Sequence, residues 1–154
     1  MKIKEIMTPE PVTCSPATDL AVAAELMLKA DSGFLPVVDQ GKLIGVVTDR
    51  DMFIALATRN KLPSQLTVGE VGRKDVFACA PDDDVRAALA TMKQRRVRRL
   101  PVQGPGQTLV GVVSMNDVLL TACQAGAVRH DEVVDTFQAI CTHAKAAPAT
   151  LVAA

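Results

Sequence analysis

The chain has 154 residues, which is the size of one compact unit with a buried core. Its 17 basic and 17 acidic side chains give a formal net charge of zero, so no global electrostatic field would recruit nucleic acid or an anionic membrane. The four cysteines lack CxxC spacing, residues 1–8 show no signal-peptide pattern, and no apolar run approaches about 18 residues. We therefore expect a cytoplasmic protein with reduced thiols.

An internal repeat organises the chain. Three segments of the first half recur 65 residues later: 3–6 at 68–71, 12–16 at 77–81, and 35–37 at 100–102. The spacing becomes 66 residues at Gly45 and Gly111, because the loop at 104–107 is one residue longer. A hairpin loop tolerates such an insertion. The predicted organisation is a first repeat at 1–62, a second repeat at 63–124, and a C-terminal helix with a frayed tail at 125–154.

Each repeat is predicted to fold as β-α-β-β-α. Short strands at 12–14 and 76–79 end at a proline, and apolar residues at helical spacing follow. These apolar positions are Leu20, Ala23, Ala24, Met27 and Leu28 in the first repeat, and Val85, Ala88, Leu89 and Met92 in the second. Hairpins are then predicted over 34–48 and 99–114. The expected fold class is α/β of the α+β type, with a small apolar helix packed on a short sheet in each repeat.

The most specific pattern is a buried strand that leads straight into a helix, at 45–51 and again at 111–117. Thr48 and Ser114 are good N-cap residues, and Asp51 and Asp117 follow three positions later. Free N–H groups at a helix start suit a phosphate, and a carboxylate can accept hydrogen bonds from a ribose diol. For one copy alone, a capping box that only complements the helix dipole is the favoured explanation. Two copies in register favour a nucleoside phosphate site.

The ordered set of segments resembles the CBS domain, and the pair resembles the tandem arrangement called a Bateman module. The resemblance covers residues 2–123 and is carried by 6–8, 35–38, 45–51, 98–102 and 111–117. It implies two repeats about a pseudo-twofold axis, with adenosine-containing ligands in two clefts between them. It also implies a regulatory module without catalytic residues or a required cofactor, for which AMP, ADP or ATP is expected ahead of S-adenosylmethionine or NAD.

The resemblance also implies which residues form the two sites. In the first site Thr48 and Asp51 would hold phosphate and ribose, with Arg50 beside them and Val46 at the adenine. The opposite wall of that site is expected from the second repeat: Val76, Phe77, Val97, Arg98 and Arg99. In the second site the matching residues are Val112, Ser114, Asn116 and Asp117, facing Pro11, Val12, Ser32 and Gly33.

The two sites are expected to be unequal. On this crossed geometry Arg98 and Arg99 would face Thr48 and Asp51, and arginine binds phosphate bidentately. The site at Thr48 and Asp51 is therefore expected to be the better phosphate site. The sequence departs from the family pattern at 72–74, where Gly-Arg-Lys replaces the Met-Thr-Pro of 7–9.

Other polar and reactive residues are expected to be structural. The basic run at 95–99 lacks interleaved aromatic residues, so nucleic-acid binding is not expected. Cys14 and Cys79 occupy equivalent positions and are expected to be small buried hydrophobes. His130 and His143 have no third ligand nearby, so no metal site is expected.

Residues 131–145 are predicted to form a further amphipathic helix. Its apolar side carries Val133, Val134, Phe137, Ile140 and Cys141. Such a side either packs on its own module or pairs with a second chain, and a dimer contact is slightly favoured. A homodimer is expected in any case, because related modules stack into a flat disc. The alternative function is a structural or dimerisation module with empty, degenerate pockets, while the regulated partner protein is unknown.

Overall fold

The computed structural model describes residues 1–142, which form two small sheets with helices packed on them. The strands are β1 (Thr8–Pro9), β2 (Phe34–Asp39), β3 (Lys42–Thr48), β4 (Arg99–Gln103) and β5 (Leu109–Ser114). The helices are α1 (Leu20–Lys29), α2 (Asp49–Arg59), α3 (Val68–Val71), α4 (Val85–Arg95), α5 (Met115–Asp117) and α6 (His130–Cys141). Short 3-10 turns lie at Ile3–Glu5, Pro63–Gln65 and Pro105–Gln107, and a π-helical segment at Val118–Cys123 continues α5.

The helices α1 and α4 occupy the same position in the two repeats and begin at aspartate caps. Asp19 accepts a hydrogen bond from the Val22 amide at 2.9 Å, and Asp84 accepts one from the Arg86 amide at 2.9 Å. Both helices bury the predicted methionine, together with the alanine and large aliphatic residues that precede it. The apolar side of α1 is narrower than predicted, since Leu28 is exposed.

The two predicted hairpins are confirmed. Strand β2 pairs antiparallel with β3, and β4 pairs antiparallel with β5, each with one irregularity in register near the turn. The strands predicted at 12–14 and 76–79 are not formed, because each segment makes only an isolated parallel bridge, Cys14 to Val37 and Cys79 to Val102. Both cysteines are buried, as predicted.

The segment that precedes each repeat pairs with the other repeat. Thr8 in β1 lies opposite Val112 in β5. The equivalent residue Arg73 donates its amide to the Val46 oxygen at 2.8 Å and accepts from the Val46 amide at 3.0 Å. The sheet of the second repeat therefore takes its outer strand, β1, from the start of the chain, while the hairpin of the first repeat receives an isolated bridge from Arg73.

Apolar residues of these segments are also buried in the core of the other repeat. Ile3 and Ile6 lie in the core of the second repeat, while Leu66 and Val68 lie in the core of the first. These 3-10 and helical turns therefore help to hold the two repeats together.

The exchange explains the glycine that begins each repeated motif. An added Cβ at Gly45 would lie 2.8 Å from the Arg73 carbonyl oxygen, and one at Gly111 would lie 2.6 Å from Met7 Sδ. Both positions lack room for a side chain because the exchanged segment crosses directly over them.

Helix α6 packs on its own module, and a further contact of this helix with a second chain stays a prediction. Val133 and Thr136 are buried, and Phe137 packs against the core of the second repeat. Arg86 on α4 pairs with Glu132 at 2.9 Å, and Lys93 on α4 pairs with Asp135. The predicted end of the helix at 145, His143 and the tail at 146–154 lie outside the described residues.

None of the helices within residues 1–142 has the length and apolar character needed to cross a bilayer.

Candidate functional site

Both repeated motifs form the same capping arrangement at a helix start. Thr48 Oγ1 donates to Asp51 Oδ2 at 2.7 Å and accepts from the Asp51 amide at 3.2 Å. Ser114 Oγ donates to Asp117 Oδ2 at 2.7 Å and accepts from the Asp117 amide at 3.3 Å. Each hydroxyl therefore orients one carboxylate at the strand-to-helix junction, as the sequence predicted.

The second oxygen of Asp51 is already occupied. Its Oδ1 accepts from Arg73 Nε at 3.1 Å and from Arg73 Nη2 at 2.9 Å. Partial burial raises the pKa of Asp51, but hydrogen bonds from Arg73 and Thr48 and the Arg73 charge outweigh it, so the pKa lies below its ordinary value. Both carboxylate oxygens of Asp51 are thus satisfied within the protein.

Asp117 differs from Asp51 in this respect. Its Oδ2 accepts from the Ser114 hydroxyl and amide, while its Oδ1 accepts no hydrogen bond from any group within residues 1–142. The residue equivalent to Arg73 in this half is Thr8, which carries no charge. One oxygen of Asp117 is therefore available to a ligand.

The arginines that precede β4 lie beside Ser114. Arg99 is the register partner of Ser114 across the β4–β5 hairpin. The Arg98 carbonyl accepts from the Met115 amide at 3.0 Å. Neither guanidinium forms an ion pair or a hydrogen bond with any of residues 1–142. Two arginines without an ion-pair partner in residues 1–142 therefore have their backbone beside the helix start of the second repeat.

The first repeat has the same internal geometry. Phe34 is the register partner of Thr48, and the Gly33 carbonyl accepts from the Asp49 amide at 3.1 Å. Val12 packs against the core of this same repeat. The backbone paired beside each helix start thus comes from its own repeat.

The crossed walls of the two sites stay a prediction. Hairpin pairing holds the backbone before β2 and β4 against their own β3 and β5, while the segments around Thr8 and Arg73 pair with the other repeat. Phe77 and Val97 pack against the core of the second repeat. Along the chain, the residues predicted to form the first site's far wall (Val76, Phe77, Val97, Arg98, Arg99) precede Ser114 in the second repeat, and those predicted for the second site's wall (Pro11, Val12, Ser32, Gly33) precede Thr48 in the first.

The remaining predicted residues lie close to the two helix starts in sequence and on the same elements. Val46 lies in β3 and Val112 in β5, two residues before the capping hydroxyls. Arg50 in α2 and Asn116 in α5 are exposed. Their contribution to ligand binding stays a prediction.

Charge further separates the two helix starts. The Asp49 carboxylate folds over Gly33, since an added Cβ at Gly33 would lie 2.3 Å from Asp49 Oδ2. The residue equivalent to Asp49 is Met115, which is buried. In the second repeat Arg95 lies over the Phe77 ring at 4.6 Å. The first helix start therefore carries one carboxylate more than the second.

Two hollows flank the exchanged segment in the first repeat. One, of about 260 Å³, is lined by residues that include Val37, Ile44 and Arg73. The other, of about 200 Å³, is lined by residues that include Asp51 and Arg59. Asp51 of the first helix start lines the second hollow, and Thr48 is half-buried beside it.

Two functional candidates were missed by the sequence analysis, Arg73 and Asp49. Arg73 falls within the stretch 72–74, which departs from the family pattern, but nothing in the sequence indicates which strand this stretch meets. Asp49 carries no such signal in the sequence, because its contact with Gly33 depends on the hairpin register.

The CBS domain model matches residues 3–58 and 68–122. The chain belongs to the CBS domain family. CBS domain pairs are regulatory, ligand-binding modules, and the mixed α+β fold with two small sheets agrees with this assignment.

Named relatives include both small and large proteins. The chain is 34% identical to the CBS domain-containing protein YhcV of Bacillus subtilis over 116 residues, covering 75% of this chain and 81% of that protein. It is 28% identical to the L-aspartate semialdehyde sulfurtransferase of Methanocaldococcus jannaschii over 117 residues. That match covers 75% of this chain but 22% of the enzyme, so the chain corresponds to only a part of such larger relatives.

A solved structure shows the same fold. The CBS domain pair of protein MJ0100, in complex with 5′-methylthioadenosine and S-adenosyl-L-methionine, superposes with a TM-score of 0.72 at 26% identity. The match covers 83% of this chain and 98% of that chain. Adenosine-type ligands are therefore bound by a related CBS pair.

Proposed function

We propose that this CBS pair is a non-catalytic regulatory module that binds adenine nucleotides (AMP, ADP or ATP) and signals to a partner protein in the cytoplasm. The observation that carries the proposal is the pair of hydroxyl-oriented carboxylates at equivalent helix starts. A related pair that binds 5′-methylthioadenosine and S-adenosyl-L-methionine supports the adenosine class.

The helix start of the second repeat is the stronger nucleotide site in this proposal. The free Oδ1 of Asp117 accepts from the ribose hydroxyls, because its other oxygen is held by Ser114. Arg98 and Arg99 lie beside Ser114 without a carboxylate partner in residues 1–142, so they are free to bind a phosphate. This order of affinities is the reverse of the one predicted from the crossed geometry, and it rests on the backbone pairing of Arg98 and Arg99 beside Ser114.

Isothermal titration calorimetry with AMP tests this proposal on two variants. Asp117→Ala removes a charged hydrogen-bond acceptor worth about 1.5–3 kcal/mol, so affinity should fall by about tenfold or more. Asp39→Ala is the matched control, because Asp39 is an exposed carboxylate at the end of β2, in the other hairpin. Equal affinity in the wild-type protein and a folded Asp117→Ala variant would contradict the assignment.

The proposed assembly is a homodimer formed by one apolar surface. Phe53 and Ile54 on α2 are exposed, and so are the equivalent residues Leu119 and Leu120 after α5. The two pairs occupy equivalent positions in the two repeats, and the proposed dimer brings them together as one surface that pairs with its own copy about a twofold axis. We call these four residues the twin apolar surface.

The same surface supports a second candidate function, a dimerisation module whose pockets stay empty. Thermal shift with adenine nucleotides, adenosine, S-adenosylmethionine and NAD separates the two functions. A ligand at about 100 times its dissociation constant stabilises the folded state by about 2.7 kcal/mol, whereas an empty module shows no shift. GMP is the control for nonspecific binding of a nucleotide.

A further inference from the structure

The ion pair between Arg73 and Asp51 gives the first repeat a property that the second lacks. It joins residues from different repeats, and two guanidinium nitrogens, Nε and Nη2, donate to the same oxygen, Oδ1. The side chain of Asp51 is 11% exposed, whereas that of Arg73 is 62% exposed. The carboxylate is thus covered by a cation that can itself move into solvent.

Any ligand whose ribose uses Asp51 must displace Arg73 from it. Both Asp51 oxygens are occupied, one by Thr48 and one by Arg73, so a ribose hydroxyl finds no vacant acceptor. A neutral nucleoside breaks the ion pair without giving the guanidinium a new anion. A phosphorylated nucleoside supplies that anion, because a phosphate is a preferred bidentate partner of arginine.

The local charge favours pairing of a phosphate with Arg73. Asp49 and Asp51 both carry carboxylates at this helix start, and the Asp49 carboxylate folds over Gly33. Without the Arg73 guanidinium, a phosphate placed here would face two like charges.

Resting on the function proposed above, we infer that Arg73 makes the first repeat selective for phosphorylated adenosine ligands, by exchanging the Asp51 carboxylate for the ligand's phosphate. The neutral Thr8 stands in the equivalent place in the second repeat, so that repeat has no such exchange. Arg73 is a specificity-determining residue: it binds the phosphate directly, and its release from Asp51 frees that carboxylate to accept from the ribose.

The test compares AMP with adenosine by calorimetry in an Asp117→Ala background, which leaves the first repeat as the measured site. Asp117→Asn provides a second background that keeps the side-chain shape. In either background Arg73→Gln should lower AMP affinity by about tenfold or more, because a charged hydrogen-bond donor is lost. It should raise adenosine affinity by up to about fivefold, the scale of an exposed ion pair.

Two controls separate this exchange from a structural effect. Lys74→Gln removes the neighbouring cation, which makes no ion pair within residues 1–142, and should change neither affinity. Asp49→Asn should raise AMP affinity and leave adenosine affinity unchanged, because it removes one like charge. A merely structural role of Arg73 would move both ligands in the same direction.

The possible failures are distinguishable. If the wild-type protein binds no adenosine ligand, the proposed function fails and the role of Arg73 fails with it. If the wild-type protein binds AMP, but the Asp117 variants do not, or Arg73→Gln shifts AMP and adenosine alike or not at all, only the role of Arg73 is overturned.

Discussion

At the scale of single residues, the Arg73–Asp51 contact makes part of the folding stability depend on pH. The pKa of Asp51 lies below its ordinary value of 3.8, so the ionised carboxylate stabilises the folded state above that pH. This stabilisation is lost as the pH falls through the folded-state pKa. Because Arg73 is largely exposed, the pair is worth only about 0.2–1 kcal/mol.

Arg73→Gln should therefore raise the pKa of Asp51 toward 3.8, as followed by NMR of its side-chain carboxyl carbon. Urea unfolding at pH 7 should show a small loss of stability in the variant, and the difference should shrink at pH 2. Asp39, which makes no such contact, is the internal reference. An Asp51 that titrates at its ordinary pKa in the wild-type protein would contradict the ion pair in solution.

At the scale of secondary-structure elements, the exchanged N-terminal turn belongs to the core of the second repeat. Ile3 is fully buried there, together with Val85 of α4. The amide of Ile3 also donates to the Asp83 carbonyl at 3.0 Å. Residues at the very start of the chain thus complete a core formed more than 80 positions later.

Ile3→Ala should consequently destabilise the protein by about 2–5 kcal/mol, the cost of truncating a buried aliphatic side chain. The measurement is chemical denaturation, with hydrogen exchange to locate the loss in α4 and β5. Val22→Ala is the control, since Val22 lies on the exposed side of α1. A loss confined to the first repeat would contradict the exchange.

At this scale, a feature could be predicted from the sequence when the residues that form it lie close together along the chain. The hairpins, the capping boxes and the buried sides of α1 and α4 each involve residues within one repeat, and their patterns are periodic or local. The pairing of Thr8 with Val112 joins two short stretches more than 100 residues apart, and β1 is too short for alternation to mark its partner. The Arg73–Asp51 contact follows from this exchange, so it could not be predicted either.

At the scale of the whole molecule, the twin apolar surface should decide the oligomeric state. Phe53 is 72% exposed and Leu120 is 62% exposed, which is unfavourable for large apolar side chains in a monomer. Phe53→Glu combined with Leu120→Glu should give monomers in sedimentation velocity, because charge is costly to bury at an interface.

The control is Leu28→Glu, because Leu28 is 84% exposed on α1 and lies outside the twin apolar surface. This variant should sediment as the wild-type protein does. A wild-type protein that is monomeric at all concentrations, or a double variant that stays dimeric, would contradict the proposed interface.

Residues Met7–Pro9 and Gly72–Lys74 cross between the repeats. This crossing affects how the two halves can acquire different ligand preferences. In a dimer of two identical single-repeat chains that exchanged these segments, the same residue would lie over both helix starts. Every substitution in the segment would then alter both ligand sites. Within one continuous chain the two crossing segments are encoded separately, and Arg73 can differ from Thr8. Fusion of the repeats therefore frees each half to acquire its own ligand preference while the symmetric scaffold is kept.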